Sequence, residues 1–254
     1  MKITSMLRYI GVLLRWRKDR DRAFTLLARF GAWILPEYRF TYPQMTWWHD
    51  DRFNAYLRRF DEYGHFNTHR RWMLVQLMRL TETVPGDTAE CGVYRGCGSW
   101  AMLRMNGKSG FGRIHHIFDS FEGVSAPNER DGEYWTRGDL AAGEEVVRDA
   151  LGTEGFRLYK GWIPKRFTEV ADRQFRFVHV DVDLYEPTRA SVEFFYGRLS
   201  PGGILLCDDY GFDTCPGATR AMDEFLEDKP EKMVALADGG GFFIKGIGVA
   251  RDAL

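Results

Sequence analysis

The stretch that most restricts the fold of this chain lies at residues 175–210, FRFVHVDVDLYEPTRASVEFFYGRLSPGGILLCDDY. Two short apolar runs, residues 175–182 and 203–207, each end on carboxylates: Asp181 and Asp183 in the first, Asp208 and Asp209 in the second. Residues 187–199 between them have helical length and are closed by Ser200-Pro201-Gly202-Gly203, so the unit reads strand, helix, strand. A right-handed crossover of that length makes the two strands parallel and commonly neighbours. Their C-terminal ends then share one sheet edge, where open α/β sheets bind ligands. Carboxylates converging there repel one another without a cation, and hard oxygen donors favour Mg2+, Mn2+ or Ca2+ over zinc. A divalent site at this edge is the expectation around which the rest is arranged.

A chain of 254 residues, 44% hydrophobic and 28% charged, suits one large α/β domain with an appended segment, or at most two domains. The formal net charge of −1 gives no whole-molecule field for nucleic acid, and none is expected as a partner. That average hides an asymmetry, because residues 1–40 carry nine Lys/Arg against three acidic residues. The four cysteines make no C-x-x-C pair and no zinc spacing, which reads as reduced thiols in a cytoplasmic protein. Residues 9–14 are too short an apolar run for a secretory signal and are bracketed by Arg8 and Arg15. No stretch approaches the ~18 apolar residues of a membrane-spanning helix.

Residues 1–35 hold two helical patterns, Met6, Tyr9, Ile10, Leu13, Leu14 and then Phe24, Leu27, Ala28 and residues 30–34, around the basic run Arg15-Trp16-Arg17-Lys18. This is more apolar surface than one short helical hairpin hides in itself, so a homodimer contact is expected there. The rival reading is peripheral membrane contact, a basic amphipathic face on an anionic surface. Residues 36–67 are aromatic-rich and complete an N-terminal helical cap, residues 1–67, before the main domain at 68–254. His49, His65 and His69 fall here without spaced partners and read as structural. A long helix follows at 68–83, broken by Pro85-Gly86. Strands at 88–93, 114–119 and 156–160 then alternate with helices at 99–105, 144–151 and a short one at 164–170, a doubly wound α/β pattern. After the unit described above come a helix at 218–226 and a closing hairpin, 232–237 with 241–245.

Residues 90–99, Glu90 to Ser99, are a glycine-bearing strand-to-helix turn, whose backbone can approach a ligand closely and whose helix start offers unpaired N–H groups. The pattern is neither the dinucleotide G-x-G-x-x-G nor the phosphate-binding G-x-x-x-x-G-K-[ST]. Asp119, at the end of the second strand, is placed to accept hydrogen bonds from ribose hydroxyls, and Glu90 to meet the ammonium of a methionine-like tail. One glycine loop, one ribose carboxylate and no phosphate-binding lysine fit S-adenosylmethionine, a nucleoside without phosphates. The polar loop 122–139, with Pro127, Gly132 and Trp135, has the length and composition of a lid.

Taken together, AECGVYRGCGS, IFDSFEGV, LYKGWIPKRF, HVDVDLYEPT and SPGGILLCDDYG…CPGATRAMDEF resemble the macrocin-type (TylF/MycF/NovP) sugar O-methyltransferases, over residues 68–246. The resemblance implies a Rossmann-like class I methyltransferase fold, α/β with a seven-stranded, mostly parallel sheet and an antiparallel last strand. It implies a reaction dependent on S-adenosylmethionine and Mg2+, with a sugar-containing small molecule as acceptor. By the same resemblance Asp183, Asp208 and Asp209 hold the metal and Asp183 takes the acceptor proton. Glu90, Gly92, Val93, Tyr94, Gly96, Ser99, Asp119, Ser120, Gly161, Trp162 and Asp181 line the cofactor, Asp181 reaching either cofactor or metal. Gly96-Cys97-Gly98-Ser99 departs from the Gly-Gly-Ser common in the family. A catechol or other vicinal diol remains open as acceptor. Two readings of other classes are a non-enzymatic scaffold and a glycosyltransferase using Asp181-Val182-Asp183 as its Asp-x-Asp motif. The second carboxylate pair and the glycine loop oppose the glycosyltransferase, and the intact carboxylate set, costly to keep uncompensated, opposes the scaffold.

Overall fold

The computed structural model describes residues 45–63 and 67–250, with isolated helical positions at Gly11, Val12, Leu14, Arg15, Leu26, Leu27 and Gly31. The chain forms two compact units, Met1–Tyr63 and Gly64–Leu254. The patterns expected over residues 1–35, with the dimer or membrane contact assigned to them, and His65 lie otherwise outside the described residues. In the first unit a 3₁₀ turn, Thr46–His49, leads into helix α1, Asp51–Arg59. Asp50 caps α1 by accepting the Phe53 N–H at 2.8 Å, with Asp51 in the first turn and Arg58 and Arg59 in the last, charges that suit the helix dipole. Phe53, Tyr56 and Leu57 form its buried side, and Trp47 meets Phe53 edge-to-face at 6.0 Å.

The second unit opens with α2, Thr68–Leu80. It continues β1 (Asp87–Cys91), α3 (Cys97–Ser109), β2 (His115–Asp119), α4 (Glu144–Leu151), β3 (Phe156–Lys160) and a 3₁₀ turn Phe167–Val170. Next come β4 (Phe175–Val180), α5 (Tyr185–Tyr196), β5 (Leu199–Cys207), α6 (Pro216–Leu226), β6 (Val234–Ala235) and β7 (Gly241–Ile244). The strands make a seven-stranded sheet in the order β3-β2-β1-β4-β5-β7-β6. The first five are parallel to one another, and β7 runs antiparallel to both β5 and β6. This is the doubly wound, Rossmann-like sheet expected, and its reversal after β1 puts the switch point between β1 and β4.

Helices cover both faces of this sheet, so β4 is buried at every position rather than alternating. On one face Phe118, Phe167, Phe175 and Phe195 form an aromatic layer, Phe195 standing edge-on to Phe167 at 5.1 Å and to Phe175 at 5.0 Å. On the other, Leu74, Leu77 and Met78 of α2 and Met102 of α3 pack on Phe177, Ile204 and Leu206. All four cysteines are free and buried. Among the described residues no helix is long and apolar enough to cross a membrane.

Several boundaries differ from the sequence reading for local reasons. The helix expected at 187–199 lies at Tyr185–Tyr196, because Pro187 occupies its first turn, where an N–H has no partner to lose, rather than its first position. Ser200-Pro201-Gly202-Gly203 does not close that helix but lies within β5. β4 pairs Phe175 with Leu199 and then Phe177 with Ile204, so the extra residues form a bulge. β1 ends at Cys91 instead of residue 93, since Gly92 turns to φ +79. α3 extends beyond 99–105 to Cys97–Ser109, bounded by the left-handed glycines Gly96 and Gly110.

Candidate active site

The C-terminal ends of β1, β2 and β3 make one half of the site. Gly92 is required here twice over: its φ is +79, and a Cβ would lie 1.8 Å from the Asp181 carbonyl oxygen. The chain then passes through Tyr94, also left-handed at φ 45, and Gly96 into the open N-terminus of α3. Asp119 ties this loop to the next one, its Oδ2 accepting the Val93 N–H at 2.8 Å and its Oδ1 the Phe121 N–H at 2.6 Å. Burial raises Asp119 above the usual carboxylate range despite those bonds. Ser120 Oγ accepts the Glu122 N–H at 3.0 Å, and the Gly161 N–H donates to the Asp119 carbonyl at 2.9 Å, which brings Gly161 and Trp162 to the same edge. Val93, Tyr94, Gly96, Asp119, Ser120, Gly161 and Trp162 therefore cluster as the strand ends dictate.

Glu90 and Ser99 sit lower. Glu90 is 2% exposed, with Oε2 accepting the Ser99 hydroxyl and Oε1 2.8 Å from His179 Nδ1. The polar chain continues through His115, 3.0 Å from Ser99 Oγ, to Thr88 and Asn106. Burial pushes Glu90 up, but His115 and His179 outweigh it and hold the carboxyl at about 2. Sequence reasoning aimed Glu90 at a ligand ammonium; the structure buries it beneath the loop with both oxygens accepting from the protein.

The ends of β4 and β5 supply the other half. Asp183 takes the left-handed conformation, φ 61, and its N–H and that of Val182 both donate to Asp209 Oδ2, at 2.8 and 3.0 Å. The Cys215 thiol lies 3.7 Å from Asp183 Oδ1 and accepts the Trp135 indole N–H at 3.3 Å. Asp208 points elsewhere: its Oδ2 is 2.5 Å from Arg70 Nη1 and its Oδ1 3.3 Å from His179 Nε2. Asp181 lies on that side too, 3.8 Å from Arg71 Nη1. Potential ligand atoms thus gather as two groups, Asp183 with Asp209 and Cys215, and His179 with Asp181 and Asp208. Burial, then repulsion from Asp181 and Asp208, pushes Asp183 up to about 7; burial and Asp208 push Asp181 up to about 6. Asp209 also rises well above the usual range, through burial and Asp183. Asp208 alone of the four is lowered, because Arg70 and His179 outweigh its burial. His179, which burial would lower, is raised to about 10 by its contacts with Asp208 and Glu90.

The loop at 122–139 is tied across this edge. Asp131 is buried and accepts the Tyr185 N–H of α5 at 2.6 Å and the Asn128 N–H at 2.8 Å. Tyr134 is exposed and stands edge-on to Trp135 at 5.0 Å. His69, read from the sequence as structural, lies 3.6 Å from Asp238. The sequence reading missed His179, Arg70, Arg71, Cys215 and Asp131. His179 had a signal, its place two residues before Asp181 on the same side of a strand; Arg70 meets Asp208 across 138 residues and had none.

The 8-demethyl-8-(2,3-dimethoxy-alpha-L-rhamnosyl)-tetracenomycin-C 4'-O-methyltransferase of Streptomyces olivaceus is 33% identical over 156 residues, 56% of this chain and 59% of that protein. The demethyldecarbamoylnovobiocin O-methyltransferase of Streptomyces niveus is 32% identical over 162 residues, 58% of this chain and 60% of that protein. The chain thus spans about three fifths of the length of these curated relatives. The structure of the O-methyltransferase NovP shares 26% identity with a TM-score of 0.57, over 72% of this chain and 81% of that one. The calicheamicin methyltransferase CalS11 shares the fold at 22% identity, TM-score 0.65, over 75% and 83% of the two chains. The macrocin-O-methyltransferase (TylF) model matches residues 72–243, well over half of the chain, and the protein belongs to that family.

Proposed function

We propose that the protein transfers a methyl group from S-adenosylmethionine to a hydroxyl of a sugar-containing small molecule, with Mg2+ assisting. The observation that carries this reading is the meeting, at one sheet edge, of a glycine loop tied to Asp119 with the buried carboxylates Asp183 and Asp209. The family supports methyl transfer, and the names of the relatives above give a rhamnosyl-tetracenomycin and a demethyldecarbamoylnovobiocin as their acceptors. Family membership also removes the support for a glycosyltransferase reading of Asp181-Val182-Asp183.

The donor set fits a hard divalent cation. Asp183 and Asp209 are raised by burial and by neighbouring carboxylates, and Asp181 by burial and Asp208, the state of clustered buried carboxylates short of counter-charge. Asp183 and Asp209 on one side, and Asp208 with Asp181 on the other, would hold the ion. When bound, it supplies positive charge that makes an acceptor hydroxyl easier to deprotonate. Asp183 accepts that proton, a role suited to a carboxyl pushed toward neutral pH. Asp119 and the N–H groups at the start of α3 receive the nucleoside part of the methyl donor, with Gly161 and Trp162 beside it. The tied loop with Tyr134 and Trp135 walls the acceptor side and excludes water. The apolar sequence pattern of residues 1–35 supports a homodimer.

Methyl transfer from labelled S-adenosylmethionine to rhamnosides and related glycosides tests the reading, with and without EDTA. Transfer that EDTA abolishes and Mg2+ restores is expected, while S-adenosylhomocysteine binds in both conditions. Full turnover in EDTA removes the cation from the mechanism, and preference for simple catechols over every glycoside removes the sugar.

A further inference from the structure

We propose that His179, backed by Glu90, is the positioning residue that sets the orientation of Asp208 toward a divalent cation; this rests on the cation reading above. His179 is fully buried in the middle of the sheet and beside Asp181 and Asp208. Its ring spans three adjacent strands at one level. Glu90 of β1 is its direct register partner, 2.8 Å from Nδ1, and Asp208, just past the end of β5, lies 3.3 Å from Nε2. Glu90 is itself immobile: Ser99 holds its other oxygen, and even a methyl at Gly98 would come within 2.1 Å of Oε1. Asp208 thus has Arg70 hydrogen-bonded to one oxygen and His179 Nε2 at ion-pair distance from the other, the ring nitrogen being otherwise without a hydrogen-bond partner among the described residues. Partners of this kind orient metal-binding carboxylates, and their loss weakens cation binding while the ligands stay in place.

The ordering Glu90 to His179 to Asp208 separates this role from a merely structural ion pair. His179→Asn keeps a donor near the Nδ1 position and removes the one facing Asp208. Binding of Mn2+ to the full chain, followed by electron paramagnetic resonance, should weaken about 10-fold or more in His179→Asn and measurably in Glu90→Gln. S-adenosylhomocysteine affinity of His179→Asn, by calorimetry, should stay within about three-fold. The double variant should bind Mn2+ no more weakly than His179→Asn alone, since Glu90 acts through the ring that is gone. Unchanged Mn2+ affinity in His179→Asn, or additive effects in the double variant, overturns the proposal and leaves the cation site standing. A wild-type protein that binds no Mn2+ overturns both. If His179→Asn does not fold, the wild type decides: the ring 15N resonances of His179 should move on adding Mg2+, and no movement overturns the role.

Discussion

At the scale of single residues, Asp183 and Gly92 carry the most consequence. Asp183 is buried, left-handed and raised to about 7, a combination that persists only where the surrounding structure holds it. Its replacement by Asn should cut methyl transfer by about 10³-fold, the middle of the range for a lost general base, with S-adenosylhomocysteine affinity changed only a few-fold. Single-turnover rates beside calorimetry separate the two, and near-normal turnover would move the base elsewhere. Gly92→Ala should be severe, because the new methyl meets the backbone oxygen of Asp181, which cannot swing aside, and the φ is wrong for alanine. A lower melting temperature and cofactor affinity down about 10-fold or more are the expected results, through the strain terms of about 1–3 kcal/mol and the displaced loop. A variant with parental melting and binding would show that the loop tolerates the shift.

At the scale of elements, α5 shows how a helix can be started from far away. Its own N-cap residue, Leu184, makes no side-chain cap bond; Asp131, 54 residues earlier, accepts the Tyr185 N–H instead. Asp131→Ala leaves that N–H and the Asn128 N–H without their acceptor. Urea unfolding should report a loss of about 1–3 kcal/mol, the cost of removing a cap and leaving buried donors unsatisfied. No change in midpoint would mean that water replaces the carboxylate. The helix period and the proline were readable here, but Pro187 suits any position of a first turn, which is why the start was placed two residues late. The bulge at residues 200–203 went unread for a related reason. Ser-Pro-Gly-Gly suits a loop locally, and only pairing with β4 on one side and the Gly202 N–H bond to the Lys245 carbonyl on the other makes it strand.

For the whole molecule, acid stability should depend on Glu231, which anchors the far end of the sheet. It is buried, accepting the Gly246 N–H at 2.8 Å and the Tyr196 hydroxyl at 2.7 Å, with Lys245 Nζ 3.4 Å away. Burial pushes it up, but these donors outweigh burial and hold it at about 2, below its ordinary 4.5. A carboxyl lowered on folding stabilises fully above its unfolded pKa, and that stabilisation fades as pH falls from about 4.5 toward 2. Glu231→Gln should therefore be less stable at neutral pH and flatter across that window, as melting temperatures from pH 7 to pH 2 will show. Equal slopes in both proteins would exclude Glu231 as a source of the acid transition. For residues 1–35, deletion should lower the mass measured by light scattering, and neither form should sediment with anionic vesicles. Salt-sensitive vesicle binding by the intact chain, with a truncated form that keeps its mass, would assign the segment to membrane contact.

What the sequence determined by itself was the order of elements, the parallel sheet and the edge that carries the chemistry. Apolar runs ending in glycine or aspartate are local signals, and in a parallel sheet every such ending falls on one side. That Gly92, Asp119, Asp183, Asp208 and Asp209 lie at one sheet edge was therefore legible before any packing was known. Only the tertiary structure decided what each side chain faces. It turned Asp208 toward Arg70 and His179, joined Asp183 to Asp209 and Cys215, sank Glu90 under the loop, and set Asp131 on α5. Those pairings depend on strand order, on the left-handed turn at Asp183 and on how α2 lies across the sheet. Contacts between residues so far apart in the chain leave no periodic trace in it, because they arise only when separate elements pack.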